Sequence, residues 1–318
     1  MTASIRAATG LFLAALALPA LAAEPGPDAL AKAKRVVILG DSITYGGGYV
    51  VDFECWVATR PGPKPEIINL GLPSETVSGL SEDGHAGGKF PRPDLHERLG
   101  RALPALKPDL ILACYGMNDG IYQPLDEARF KAFRDGTIRL REAAAKAGAG
   151  VIHVTPPVYD AVPVKGRNDF YDGVLAKYSE WLLEQRKTAG WSVIDIHGPM
   201  AQRIAEGRKA DPAFTFAKDG VHPDAAGHRV MAEPLVAWFG GAEAVAPWQL
   251  RLETPEGKAL RKLVEQRMAV RRDAWLAAVG HKRPGIGKGL PVEEAGKKAD
   301  ELTKQIEEKS QIQNPKSQ

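Results

Sequence analysis

A three-layer α/β/α sandwich around a five-stranded parallel sheet, followed by a helical extension, is the fold class this sequence predicts. Three observations predict it. Short apolar runs alternate with longer segments of helical period from about Glu24 to Gly240. The centres of those runs are continuously aliphatic or β-branched, as in strands covered by helices on both faces. Beyond Gly241 the strand-like runs stop and only helical stripes remain. Strand and helix in alternation make a doubly wound sheet.

Elements follow in chain order. Arg6 supplies a positive n-region, Leu11 to Leu18 an apolar core, and Ala20-Leu21-Ala22 a small-x-small pattern before a cut near Ala22 or Ala23. These are the marks of a secretory signal peptide over residues 1–23. The run falls short of the ~20 residues of a spanning helix. Export to a secreted or periplasmic location, without stable membrane insertion, is therefore expected. The body, 24–240, reads as strands at Arg35–Gly40, Glu66–Leu70, Asp109–Tyr115, Gly150–Thr155 and Trp191–Ile196. Helices are expected at Pro93–Leu106, Leu125–Ala147, Asp169–Ala189 and Asp224–Phe239. In the extension, 241–318, Thr254-Pro255 is a helix start with a cap and proline at the first helical position. Leu260, Leu263, Val264, Met268, Trp275, Leu276 and Val279 follow at helical spacing. Val292, Ala295, Ala299, Leu302 and Ile306 form a second stripe. Both should bury, against the body or each other, and border the site.

Composition closes off other classes. Of 318 residues, 44% are apolar and 25% charged, which excludes wholesale disorder. Lysine and arginine number 42 against 39 acidic residues, too even a balance for a nucleic-acid binder. The extension carries 15 basic and 11 acidic residues, leaving a near-neutral body. Two cysteines, Cys55 and Cys114, cannot build a disulfide scaffold or a four-cysteine zinc site. Oxidising surroundings permit a bridge, but the strand-interior position of Cys114 argues against one.

In doubly wound folds the site lies beyond the carboxyl ends of the strands. The first strand runs into Gly40-Asp41-Ser42-Ile43-Thr44, which would project a serine hydroxyl into the cleft. Alone, that pentapeptide reads equally as a capped turn. The second strand ends in Asn69-Leu70-Gly71, where glycine permits close backbone approach and leaves an N–H free to point into the cleft, or simply makes a turn. The third ends in Gly116-Met117-Asn118-Asp119, whose Asn118 is an amide donor or an ordinary Asx turn. Near the body's end comes Asp219-Gly220-Val221-His222-Pro223. Asp and His three apart can share one turn, the carboxylate holding one imidazole nitrogen while the other faces a nucleophile. A capped helix start with a nearby histidine is the plainer alternative.

Taken together, these four segments in this order resemble the SGNH hydrolases, or GDSL esterase/lipase family. The matching residues are Gly40 to Thr44, Gly71, Gly116-x-Asn118-Asp119 and Asp219-x-x-His222-Pro223, within about Arg35 to Phe239. Ile43 stands where the family name has leucine. The resemblance implies Ser42 as nucleophile, His222 as its base and Asp219 as the residue orienting that base. It also implies an oxyanion hole from the backbone N–H groups of Ser42 and Gly71 and the side-chain amide of Asn118. A serine hydroxyl needs a base to become nucleophilic, and imidazole titrates near working pH. Neither metal nor organic cofactor is implied.

The remaining histidines carry less. His153 is expected inside a strand, His197 to be structural, and His96 and His228 on helix surfaces. His85 lies on a glycine-rich loop that could border substrate. No histidine cluster has zinc-site spacing. The basic run His281 to Gly289 lacks the spacing of a phosphate-binding Walker loop; it reads as a solvated loop, or else as a binder of phosphate or an anionic glycan. A secreted serine esterase of small-molecule or polysaccharide esters is expected, most of all for acetyl groups on carbohydrate. The alternatives are a lysophospholipase, thioesterase or acyltransferase on the same residues, and a glycan-binding module without turnover.

Overall fold

The computed structural model describes residues 24–164 and 168–312. The expected signal segment, 1–23, lies outside them. Five strands form one parallel sheet: β1 Arg35–Gly40, β2 Glu66–Asn69, β3 Leu110–Cys114, β4 Gly150–Val154 and β5 Ser192–Ile194. Their spatial order is β2-β1-β3-β4-β5. The order reverses between β1 and β3, and doubly wound sheets open their binding crevice at such a switch. All five residues of β3 are buried, which is why it reads as an unbroken apolar run.

Among the described residues, besides the four-residue helices Ala29–Lys32 and His85–Gly88, the α-helices are α1 Ser42–Gly46, α2 Gly48–Thr59, α3 Leu95–Leu106, α4 Glu127–Lys146 and α5 Tyr171–Thr188. The others are α6 His197–Ala210, α7 Ala225–Gly240, α8 Val245–Glu253, α9 Pro255–Val279 and α10 Val292–Ile312. The helices expected in the body correspond to α3, α4, α5 and α7. Three of these, α3, α4 and α7, start on an aspartate: Asp94, Asp126 and Asp224 each accept a first-turn backbone N–H. Thr254 caps α9 in the same way, with Pro255 at its first position, as the sequence indicates.

Two body helices, α2 and α6, have no counterpart in the sequence reading. The reason is plainest for α2, where every residue from Tyr49 to Ala58 is buried. A helix covered all round has no polar face, so the 3.6-residue signal vanishes. Even Asp52 and Glu54 are sealed in it, at 0% and 1% exposure. Their charges are met from α7 and α9: Arg229 and Arg261 reach Asp52 at 2.9 and 2.6 Å, and Arg267 reaches Glu54 at 2.9 Å.

The extension lies on the body. Leu260, Val264, Met268, Leu276 and Val279 of α9 are buried, and so are Ala295, Ala299, Leu302 and Ile306 of α10. α9 packs on α10, α2, β2 and α3. Arg101 of α3 donates to the Val279 carbonyl at 2.7 Å, closing the end of α9. Cys55 and Cys114 are both buried and unpaired. Among the described residues no helix is long and apolar enough to cross a membrane.

Candidate active site

Ser42 is the first residue of α1, directly past the end of β1. Asp41 fixes the turn: its Oδ1 accepts the Ile43 N–H at 2.9 Å. Ser42 Oγ lies 2.8 Å from His222 Nε2, across 180 residues of chain. His222 Nδ1 in turn lies 2.7 Å from Asp219 Oδ2. The other Asp219 oxygen accepts the backbone N–H of Val221 at 2.9 Å and of His222 at 2.8 Å. Burial alone would raise the Asp219 pKa, but these bonds from His222 and its neighbour outweigh it and hold the group at about 2. Asp219 is thus ionised at any working pH and keeps a proton on His222 Nδ1, leaving Nε2 free to accept one.

The loop that carries this pair is braced from outside the sequence motif. Asp160 donates its backbone N–H to the Gly220 carbonyl at 2.9 Å. Gly220 has φ +81°, and a Cβ there would stand 2.5 Å from the Asp160 carbonyl. The Asp160 carboxylate takes Arg208 at 2.6 and 2.7 Å and the Thr215 hydroxyl at 2.6 Å.

Opposite His222 stand the other residues that the sequence brings forward. Gly71 passes so close to α1 that a Cβ would lie 2.4 Å from the Tyr45 nitrogen. Its N–H is not free, as expected of an open turn, but donates to Asn69 Oδ1 at 2.9 Å. Asn69 is itself tied to the Thr44 carbonyl at 2.5 Å and to Met268 of α9 at 3.4 Å. Asn118, past β3, is 4% exposed. Its Nδ2 donates to the Glu75 carbonyl at 3.2 Å, and its Oδ1 accepts from Arg92 at 2.9 Å and the Tyr122 hydroxyl at 3.4 Å. Behind it, Glu75 is buried with Arg98, paired at 2.6 and 2.7 Å, and receives the Tyr115 hydroxyl at 2.6 Å. Arg92, Arg98, Glu75 and Glu82 go unmarked in the sequence, because charged residues on a helix or loop read as surface.

Two more carboxyls, Asp41 in the turn before Ser42 and Asp119 past β3, are buried. Burial pushes Asp41 up to about 7 and Asp119 up to about 6, the hydrogen bond from Ile43 and those from Ser78 only partly opposing. His153 is buried in β4 against Trp191, its pKa driven down to about 3 by burial. His197 is buried at the start of α6, 3.9 Å from Asp172. Expected on helix surfaces, His96 and His228 are not: His96 meets the Val77 carbonyl at 3.1 Å, and His228 stacks on Tyr49. Helix faces buried by a neighbouring element look exposed in sequence when their residues are polar. His85 bonds Glu82 at 3.1 Å and meets Phe90 edge-on. From the basic run, Arg283 covers Phe90, 4.4 Å from its ring centre. Arg272 of α9 lies over Tyr45 of α1 at 4.0 Å, so the extension touches the helix that begins at Ser42. Among the described residues no three His, Cys, Asp or Glu side chains converge to hold a metal ion.

A parallel sheet in this order, with serine, histidine and carboxylate bonded in series at its switch point, defines an acyl hydrolase of the α/β class. The chain belongs to the GDSL-like lipase/acylhydrolase family, whose model matches residues 38–230, and it is a carboxylic ester hydrolase. No curated protein is similar enough in sequence to match. Solved structures share the fold. A gut microbial diltiazem-metabolizing enzyme superposes with a TM-score of 0.61 at 15% identity, over 87% of this chain and 95% of its own. That span exceeds the body, so the likeness takes in the extension. An α/β hydrolase from the metagenome of Lake Arreo, Spain, gives 0.51 at 24% identity, over 66% and 96%. An acetylxylan esterase from Geobacillus stearothermophilus gives 0.50 at 20%, over 65% and 94%.

Proposed function

We propose that this ester hydrolase is exported and removes short acyl groups, acetyl foremost, from hydroxyl groups of carbohydrate through an acyl-Ser42 intermediate. The observation that carries the mechanism is the unbroken series of 2.8 and 2.7 Å contacts from Ser42 through His222 to Asp219. As Ser42 Oγ attacks the ester carbonyl carbon, His222 Nε2 takes its proton. The resulting imidazolium is stabilised by Asp219. Negative charge gathers on the former carbonyl oxygen, and the Ser42 N–H, the Gly71 N–H and the remaining Asn118 amide hydrogen stabilise it there. Gly71 does so by sharing its hydrogen between Asn69 and the oxyanion. Collapse expels the sugar hydroxyl, protonated by His222, and the acyl group stays on Ser42. Water, deprotonated by His222, then releases the acid and restores the serine.

Support for a carbohydrate substrate comes from the openness of the site. The side chains of His222 and Asp219 are each 51% exposed, which suits a bulky, hydrated polymer better than an enclosed lipid chain. The fold is also shared with an acetylxylan esterase. The signal-peptide pattern before Glu24 supports export. Hydrolysis of p-nitrophenyl acetate, butyrate and octanoate by the wild type and Ser42→Ala tests the reading. Acetate turnover is expected to dominate and to fall by about 10⁴-fold or more in the variant. Preference for octanoate would overturn the acetyl assignment, and equal activity of the two proteins would overturn the role of Ser42.

A further inference from the structure

The oxyanion side of the site contains a residue that the proposed mechanism does not use. Arg92, on the segment leading into α3, is 8% exposed. Its guanidinium makes a fork on Glu82, Nε to Oε2 at 2.6 Å and Nη2 to Oε1 at 2.7 Å. The third nitrogen, Nη1, donates to Asn118 Oδ1 at 2.9 Å. The Arg92 backbone is pinned as well, its N–H donating to Ser81 Oγ at 2.9 Å. Arg92 also lies over the Tyr122 ring at 5.4 Å, and the Tyr122 hydroxyl bonds the same Asn118 oxygen at 3.4 Å.

We infer that Arg92 is a positioning residue for the oxyanion donor: held by Glu82, it fixes which end of the Asn118 amide faces the ester and strengthens that amide as a donor. The inference rests on the assignment of Asn118 to the oxyanion hole. The two ends of a carboxamide have nearly the same shape, so packing alone does not choose between amide and flipped amide. A guanidinium N–H facing Oδ1 does choose, because the flipped form would set donor against donor. Glu75 adds to the choice by accepting one Nδ2 hydrogen, and the other is left for the oxyanion. A charge-assisted bond to Oδ1 also polarises the amide, making that remaining hydrogen a stronger donor in a buried setting. Glu82 neutralises the arginine overall. The pair therefore acts as an oriented dipole, its positive end toward the place where negative charge develops.

A double-mutant cycle on p-nitrophenyl acetate separates this role from simple support of the fold. Arg92→Met should lower kcat about 10- to 100-fold, less than outright loss of a donor, while KM stays within about twofold because the amide acts in the transition state. Combined with Asn118→Ala, the same change should cost less than about threefold more, since both act through one group. Full multiplication of the two losses would overturn the inference, and so would an unchanged kcat in Arg92→Met. Arg92→Lys keeps the charge but cannot bond Glu82 and Asn118 in the same fork. It should fall between wild type and Arg92→Met and show the same non-additivity, so it carries the test where the methionine variant does not fold. If Asn118→Ala leaves kcat intact, the assignment of Asn118 fails and takes this inference with it. If Asn118→Ala slows the enzyme and both Arg92 variants do not, only the inference about Arg92 falls.

Discussion

On one side of Ser42 stand His222 and Asp219, half exposed, three residues apart and joined within a single turn. On the other stands Asn118, 4% exposed, held by partners 26 and 43 residues away in sequence. One wall of the cleft is local and open, the other long-range and sealed. The two tasks proposed for them explain the contrast. A base must pass protons to a departing alcohol and then to water, so it needs solvent and freedom to adjust. An oxyanion donor must already point where charge will appear, because reorganising at that moment adds to the barrier. Burial among hydrogen-bonded and ion-paired partners gives that rigidity, at a desolvation cost that the pairing offsets.

Substitutions on the two walls should separate activity from stability. Asp219→Asn leaves an exposed loop intact but favours the wrong imidazole tautomer. It should lower kcat by about 10⁴-fold while thermal unfolding shifts little, as for most surface changes. A large fall in melting temperature would break the comparison. Arg98→Met acts on the sealed wall, leaving the buried Glu75 carboxylate without its cation and with the Tyr115 hydroxyl as a remaining side-chain partner. Breaking a buried pair from one side costs about 3–5 kcal/mol, which denaturant unfolding would read directly. A cost near zero would mean that the Glu75–Arg98 pair does not hold that wall.

How much of this was legible in the sequence divides along the same line. The open wall was legible because its information is local. Gly40 to Thr44 and Asp219 to His222 each state a turn and its chemistry within five residues, and the parallel strands announce themselves as aliphatic runs. The sealed wall was not. In α3 the sequence Leu-His-Glu-Arg-Leu-Gly-Arg places Arg98 like any solvated arginine, and only tertiary packing reveals Glu75, 23 residues earlier, as its partner. Asn118 was found through its turn, yet nothing near it named Arg92. The same blindness hid α2, whose charges are paired by helices 177 to 213 residues away. Gly71 makes the close backbone approach that glycine permits, but its N–H engages a side chain that glycine spacing could not foretell.

The mildest effect expected concerns the carboxyls next in sequence to Ser42 and Asn118. Asp41 and Asp119 have pKa values raised by burial, to about 7 and about 6, above the ordinary 3.8. Between about pH 4 and pH 7 the folded chain therefore binds more protons at these groups than the unfolded chain does. Stability linked to them is fully present below pH 4 and is lost as pH rises toward 7. Asp219 runs the opposite way, contributing above pH 4 and losing its contribution only as pH falls toward 2, so it does not mask the trend. Burial holds His153 and His228 down to about 3 and about 4, and they run against the aspartates over this same window. The aspartate contribution is therefore read as the difference in melting temperature between a variant and wild type from pH 4 to pH 8. Asp41→Asn removes one titrating group while its Oδ1 can still accept the Ile43 N–H. Relative to wild type, the variant should gain stability steadily as pH rises from 4 to 7 and keep that gain above pH 7. A difference that does not change with pH would mean that Asp41 does not titrate differently on folding, and that its surroundings are wetter than its burial implies.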